Sequence, residues 1–137
     1  MSFRFIPHQA DVRILVKGNT YKDIFASALN GLCEVILPEW GKVYEKLNIK
    51  EIIEVESIDI TALLIDFLSD ILSLMHQNKA LFCKVQFEQL SETYLIAEVS
   101  GFEVSGFDED VKAVTYHEAD VKLNENGLYE TVIVLDI

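Results

Sequence analysis

Residues 111–118 are the part of this sequence whose residue types are best suited to chemistry. They carry a Lys, a Thr, a Tyr, a His and a Glu between a predicted loop and a predicted strand. A segment that only filled a sheet would not need so many polar groups. If the segment is extended, Tyr116 and Glu118 face away from His117 between them. We expect this neighbourhood to serve proton transfer, the outer shell of a metal, or a partner surface.

The other conspicuous ionisable residues lie at the two ends of the chain. His8 and Asp11 are near its start, and Asp136 is followed only by Ile137. We expect the fold to bring these ends and the 111–118 segment together at one site. Asp11, Asp136 and the terminal carboxylate of Ile137 would then repel one another unless a cation lay between them. Their oxygen donors favour Ca²⁺, Mg²⁺ or Mn²⁺. The alternative is that Asp136 only caps a strand and the terminus lies in solvent.

Simpler structural roles compete with functional ones for the individual residues. His8 suits a hydrogen-bonded loop position or a pairing with a nearby acid as well as a functional role. Lys112 is expected either to pair with Asp110 or Glu109 on the surface, or to contact a partner or a nucleotide phosphate. Asp66 is expected to be a solvated or paired carboxylate at the edge of a helix face.

The charge balance argues against a direct nucleic-acid binder. There are 23 acidic residues against 11 Lys plus Arg, which gives a formal net charge of −12. Nucleic-acid binding depends on basic residues that neutralise phosphates. A role in RNA metabolism would therefore run through a basic protein partner. The sequence also has no Walker loop, GxGxxG pattern or nucleophile elbow, which points away from an autonomous enzyme.

Length and composition indicate one domain over residues 1–137 in a cytoplasmic protein. Half of the residues are apolar, yet no apolar run approaches the roughly 20 residues that cross a bilayer, and no signal peptide is evident. Cys33 and Cys83 have no pairing pattern, which is typical of a reducing compartment.

Hydrophobic periodicity predicts an α+β fold, with two helices packed on one face of a mostly antiparallel sheet. Thr20 is the expected N-cap of a helix at Tyr21–Ile36, and Asp59 opens a second, strongly apolar helix. The predicted strands cover 3–6, 11–17, 49–57, 81–89, 93–101, 119–123 and 128–135. In the second of these, one face carries Val12, Ile14 and Val16, and the other carries Asp11, Arg13, Leu15 and Lys17.

Four segments together resemble the archease family over the whole chain and in the same order. They are His8-x-Ala10-Asp11, the run Leu-Leu-Ile-Asp-Phe-Leu at 63–68, the segment 111–117 with its Lys-Ala-x-Thr-Tyr-His pattern, and the closing Leu135-Asp136-Ile137. The resemblance implies a protein cofactor of the tRNA-splicing RNA ligase, which speeds formation of the ligase's guanylate adduct and allows repeated turnover.

The resemblance also assigns residues. It implies that Asp11, Asp136 and Ile137 hold a divalent metal ion such as calcium, and that Lys112, Tyr116 and His117, with His8, contact the partner or support the metal from its outer shell. The chain departs from the family in having Gln9 and Arg13 where Thr and Gly are common. Its loop before Lys112 is short, with only Gly106-Phe107-Asp108 similar to the usual Pro-Phe-Asp-Pro stretch.

Two other functions remain open at this point. One is a small metal-dependent phosphoesterase acting on RNA ends through Asp11, Asp136 and His117. The other is an interaction module whose carboxylates bind no metal. In the ligase-cofactor hypothesis, the strong negative charge would steer docking to a basic ligase surface.

Overall fold

The computed structural model describes residues 11–42 and 46–137. The strand predicted at 3–6 and His8 lie outside these residues. The described elements, in chain order, are β1 (Asp11–Gly18), α1 (Tyr21–Ile36), a short 3₁₀ helix (Trp40–Lys42), β2 (Ile49–Glu56), α2 (Ile60–Asn78), β3 (Ala80–Leu90), β4 (Tyr94–Glu103), β5 (Ala113–Thr115), β6 (Lys122–Leu123) and β7 (Tyr129–Asp136).

The strands form two antiparallel sheets. The first has the order β1-β7-β5, with β6 also paired to β7, and the second has the order β2-β4-β3. The predicted α+β class, with two helices and antiparallel strands, is therefore confirmed, while the strands are divided between two sheets where one was expected. In the first sheet, the central strand β7 pairs with β1, β5 and β6.

Both helices begin at the predicted caps. The Thr20 hydroxyl accepts a hydrogen bond from the backbone N–H of Asp23 at 3.1 Å, and the Asp59 carboxylate accepts one from Ala62 at 2.8 Å. Each cap satisfies an N–H that the first helical turn leaves without a partner. The helix boundaries therefore follow from local sequence chemistry.

The core lies between the helices and the two sheets. α1 contacts β1 and β3, whereas α2 contacts β2, β3 and β5, so the helix pair spans both sheets. The rings of Phe25 on α1, Phe67 on α2 and Phe87 on β3 join the three elements, with centroids 5.3 to 6.0 Å apart. Burying such a side chain contributes roughly 1.5–3 kcal/mol. This packing fixes both helices against the second sheet.

Helix α2 is long and apolar enough to cross a membrane by length and composition alone. The central helix of a soluble domain meets the same criterion, which makes it weak evidence for a span. Its apolar face is in the core, where these residues are buried: Leu63, Leu64, Ile65, Phe67, Leu68, Ile71, Leu72 and Met75.

The predicted strand at 119–123 is shorter in the structure, where only β6 pairs with β7. Just before β6, threonine hydroxyls accept hydrogen bonds from the backbone N–H groups. The Asp120 N–H donates to Thr131 Oγ1 at 2.8 Å, and the Val121 N–H donates to Thr61 Oγ1 at 3.0 Å. Those amides are therefore unavailable for a strand ladder. The prediction also placed no strand inside the 111–118 segment, which contains β5.

Candidate functional site

The first sheet brings Asp11, Asp136 and the 111–118 segment side by side. Asp11 lies directly opposite Asp136 in the β1–β7 pair, and Ala113 lies opposite Asp136 in the β5–β7 pair. The backbone N–H of Lys112 donates to the Asp136 carbonyl at 2.8 Å. The three segments that the sequence analysis expected to meet are thus adjacent, with Asp136 on the strand between the other two.

Alternation along the strands places the two carboxylates on the outer face of this sheet. Residues opposite each other in neighbouring strands project from the same face. Val12 and Leu135, the next residues along their strands, pack on the core side. The Asp11 side chain is 34% exposed, and Asp136 is half-buried. Both carboxylates are therefore accessible while their backbones are fixed by pairing.

The donor set suits a hard divalent cation. The carboxylates of Asp11 and Asp136 and the backbone oxygens of Ile137 are all oxygen donors, the type that Ca²⁺, Mg²⁺ and Mn²⁺ prefer. The Ile137 side chain packs against the core, which fixes the backbone beside Asp136. Within 11–42 and 46–137, no group of three or more His, Cys, Asp or Glu residues is placed to hold a metal. A cation here would need further oxygens from water or a partner.

His117 is not part of such a group, and its predicted conformation is wrong. β5 ends at Thr115, and residues 116–119 form a turn in which the Ala119 N–H donates to the Tyr116 carbonyl at 3.2 Å. The His117 N–H donates to Thr115 Oγ1 at 3.3 Å, and Glu118 has a φ of 60°. The extended alternation assumed for Tyr116, His117 and Glu118 therefore does not apply. The imidazole is exposed on the turn.

Arg13 is a site residue whose role the sequence analysis missed. Its Nη1 lies 3.2 Å from Asp11 Oδ1, and its Nε lies 2.6 Å from Glu118 Oε2. The hydrogen bond that Arg13 donates to Glu118, and then the negative charges of Asp11 and Glu118, raise the pKa of Arg13. The available signal was its spacing: two residues after Asp11 in a strand, Arg13 must share the same face.

Lys112 precedes Ala113, which lies opposite Asp136 in the β5–β7 pair. It is exposed, and in the described part of the chain no carboxylate lies within 4.0 Å of its ammonium group. The predicted pairing with Asp110 or Glu109 is therefore not formed there. Its backbone N–H donates to the Asp136 carbonyl, so an exposed positive side chain is attached at a fixed backbone position next to Asp136.

Tyr116 is directed to helix α2. Its hydroxyl donates a hydrogen bond to the Asp66 carboxylate, whose other oxygen accepts a hydrogen bond from Ser57 at 2.5 Å. The bond to Asp66, and then partial burial, raise the pKa of Tyr116. Asp66 is thus paired, one of the two states expected for it. The contact fixes the end of β5 onto α2 while the Tyr116 side chain stays largely exposed.

An open cavity of about 610 Å³ lies beside this contact, at the start of α2. Ile58 at its edge is 88% exposed, and four carboxylates are among its lining residues, which are Glu56, Ser57, Ile58, Asp59, Thr61, Ala62, Asp66, Tyr116, Ala119 and Asp120. The surface around the 116–119 turn is therefore acidic with an apolar edge.

Asp70 provides a test of the electrostatics of α2. Partial burial, and then the nearby charge of Asp66, raise the pKa of Asp70. A raised pKa in the folded state means that stability is lost as pH rises through that pKa, because the folded chain holds the proton more tightly. Asp70→Asn should therefore stabilise the protein at pH 7 by on the order of a few tenths of a kcal/mol, since solvent screens the effect.

The measurement is urea unfolding of both proteins at pH 7 and at pH 3.5, where the gain should shrink. Asp108→Asn removes one charge from an exposed loop position and reports the general benefit of lowering the net charge. An equal gain in that control would show that the position of Asp70 has no special effect.

Comparisons with known proteins place this geometry in context. The chain matches the model of the Archease protein family over residues 3–137. Two proteins named Protein archease, from Methanosarcina acetivorans and Thermoplasma volcanium, are each 30% identical to this chain. These alignments cover 98% of this chain and 95% and 100% of the respective relatives.

Solved structures share the fold. The solution structure of Methanobacterium thermoautotrophicum protein 1598 superposes with a TM-score of 0.74 at 24% identity, covering 96% of each chain. The crystal structure of an archease, described as a possible chaperone, from Thermotoga maritima gives a TM-score of 0.72 at 16% identity. That match covers 100% of this chain and 98% of the Thermotoga chain. At these identities the likeness shows the fold alone.

Proposed function

We propose that this chain, which belongs to the archease family, is a protein cofactor of a tRNA-splicing RNA ligase. It promotes guanylation of the ligase and its repeated turnover. The observation that carries the proposal is the outer-face row in which Asp136 lies between Asp11 and Ala113. That row puts two carboxylates next to the segment in which Lys112, Tyr116 and His117 occur.

The acidic pair holds a divalent cation in this proposal. Asp11 and Asp136 supply carboxylate oxygens, and Ile137 supplies backbone oxygens. When bound, such a cation neutralises negative charge that develops on a transferring phosphoryl group. The fixed strand backbone presents these oxygens at the surface, where a partner can complete the coordination. In this proposal, the surface that holds the cation is also the surface that contacts the ligase.

The neighbouring segment supplies the partner contacts. Lys112 and His117 are both exposed, so each is available to a partner's polar or charged groups. Tyr116 supports the segment by its bond to Asp66. For His8, which lies outside the described residues, the resemblance alone supports a role in partner contact or in the outer shell of the metal.

Charge supports a protein partner with a basic surface. A net charge of −12 accelerates encounter with a positively charged ligase and disfavours direct contact with RNA. A cytoplasmic location, where tRNA precursors and ligase would be encountered, is part of the same proposal.

The phosphoesterase alternative has less support. It needs Asp11, Asp136 and His117 around one metal, and among the described residues these do not form a metal-holding group. The isolated protein with Mn²⁺ is accordingly expected to release no phosphate from RNA ends.

The decisive experiment is a time course of ligase guanylation with GTP, using the ligase of the same organism. This protein is added at substoichiometric amounts, so that it can raise the guanylation rate of all the ligase only if each molecule acts on many ligase molecules in turn. We expect a large acceleration. Unchanged guanylation would contradict the proposed function, and phosphate release by the isolated protein would support the phosphoesterase.

A further inference from the structure

Arg13 connects two parts of the site that lie far apart in sequence. One guanidinium nitrogen is 3.2 Å from Asp11 Oδ1, and another is 2.6 Å from Glu118 Oε2, across a separation of 105 residues. The side chain is 55% exposed, so solvent leaves it able to shift between its two partners. Arg13 thus joins the acidic pair to the turn at 116–119.

The same guanidinium is a cation already present at the acidic pair. Arginine stays protonated at any physiological pH and cannot be neutralised to make room for another positive charge. A divalent ion at Asp11 would lie within a few ångströms of it, where like charges repel. The two cations therefore compete for the Asp11 carboxylate.

Glu118 offers the displaced guanidinium a second partner. Its φ of 60° is a left-handed conformation that residues other than glycine, asparagine and aspartate rarely adopt. The turn is closed by the Ala119 N–H to Tyr116 carbonyl hydrogen bond. A stronger ion pair between Arg13 and Glu118 would stabilise this turn conformation, which also contains the exposed His117.

We propose that Arg13 couples metal binding at Asp11 and Asp136 to the order of the 116–119 turn. This inference rests on the divalent cation assigned above. In the metal-free protein Arg13 is shared between Asp11 and Glu118. In the metal-bound protein the ion takes Asp11, and the guanidinium is held by Glu118 alone.

Two substitutions then have opposite effects on affinity. Arg13→Gln removes the competing cation and should tighten Ca²⁺ binding by about fivefold. Glu118→Gln removes the alternative partner, leaves Arg13 on Asp11, and should weaken binding by about threefold. The double variant should match Arg13→Gln, because Glu118 acts only through Arg13.

Calorimetric titration with Ca²⁺ measures these affinities. Lys17→Gln is the matched control, since Lys17 is on the same face of β1, paired with Glu130 at 3.8 Å and about 20 Å along the strand from Asp11. It removes one positive charge without touching the acidic pair, so its affinity should equal that of the wild type.

The second readout is hydrogen exchange of the peptide that contains the Ala119 amide. Added Ca²⁺ should slow this exchange by about threefold in the wild type and leave it unchanged in Arg13→Gln. Equal affinity of wild type and Arg13→Gln, or equal protection in both, would overturn the coupling. No heat with either protein would instead remove the metal site itself, and the coupling with it.

Discussion

Asp136→Asn is expected to abolish divalent-cation binding and the acceleration of ligase guanylation while the fold stays intact. The amide keeps the size of the side chain but removes its charge, and Asp11 then remains with Arg13 as its cationic neighbour. Metal affinity should fall by roughly 100-fold or more, because loss of a direct ligand exceeds loss of a supporting residue. Asp136→Ala should have the same effect.

Titrations with Ca²⁺ and Mn²⁺, together with the guanylation assay, measure this effect. Glu130→Gln is the matched control, because Glu130 is on the same strand and face and pairs with Lys17. It removes one negative charge from the sheet without touching the row. Normal stimulation by Asp136→Asn would contradict metal delivery. If wild-type protein stimulates the ligase but gives no binding heat, the module without metal is the better description.

Gly101→Ala is expected to destabilise the fold by about 3 kcal/mol or more, with much of the chain unfolded at moderate temperature. Gly101 lies on β4, the central strand of the second sheet, opposite Ile49 on one side and Phe82 on the other. A Cβ at this position would lie 1.9 Å from the Leu81 carbonyl oxygen and 2.7 Å from its carbonyl carbon. Backbone atoms held in a sheet cannot yield without loss of ladder hydrogen bonds.

Chemical unfolding monitored by circular dichroism measures the loss. Gly106→Ala serves as the control, because a Cβ there has no atom within 4 Å. That variant should unfold within about 0.5 kcal/mol of the wild type. Equal stability of the two variants would show that β3 moves away from β4 at little cost.

Local patterns in the sequence were sufficient to predict the helices and the faces of β1. Thr20 and Asp59 cap their helices by bonds to residues three positions away, and the alternation of Val12, Ile14 and Val16 needs only the geometry of one strand. The division into two sheets depends on which strands pair, such as β1 with β7. That choice is made by packing across the whole chain and leaves no local signal.

The candidate site also has features that residue types alone predict and others that depend on the tertiary structure. The residues expected to meet were identified by their types, and the sheet register brings Asp11 and Asp136 together. The partners of Arg13 and Tyr116 were missed, because Glu118 and Asp66 approach them only through tertiary structure. The turn at 116–119 was missed because hydroxyl groups of distant residues replace the strand ladder beyond it.

Because β7 is the central strand of its sheet, the two sheets cannot form at the same stage of synthesis. The second sheet uses strands from residues 49–103, so it can form while synthesis continues. The first sheet has no central strand until residues 129–136 have been synthesised. Until then, β1 and β5 lack the strand that lies between them, so the nascent chain should need protection from aggregation longest at this end of the fold.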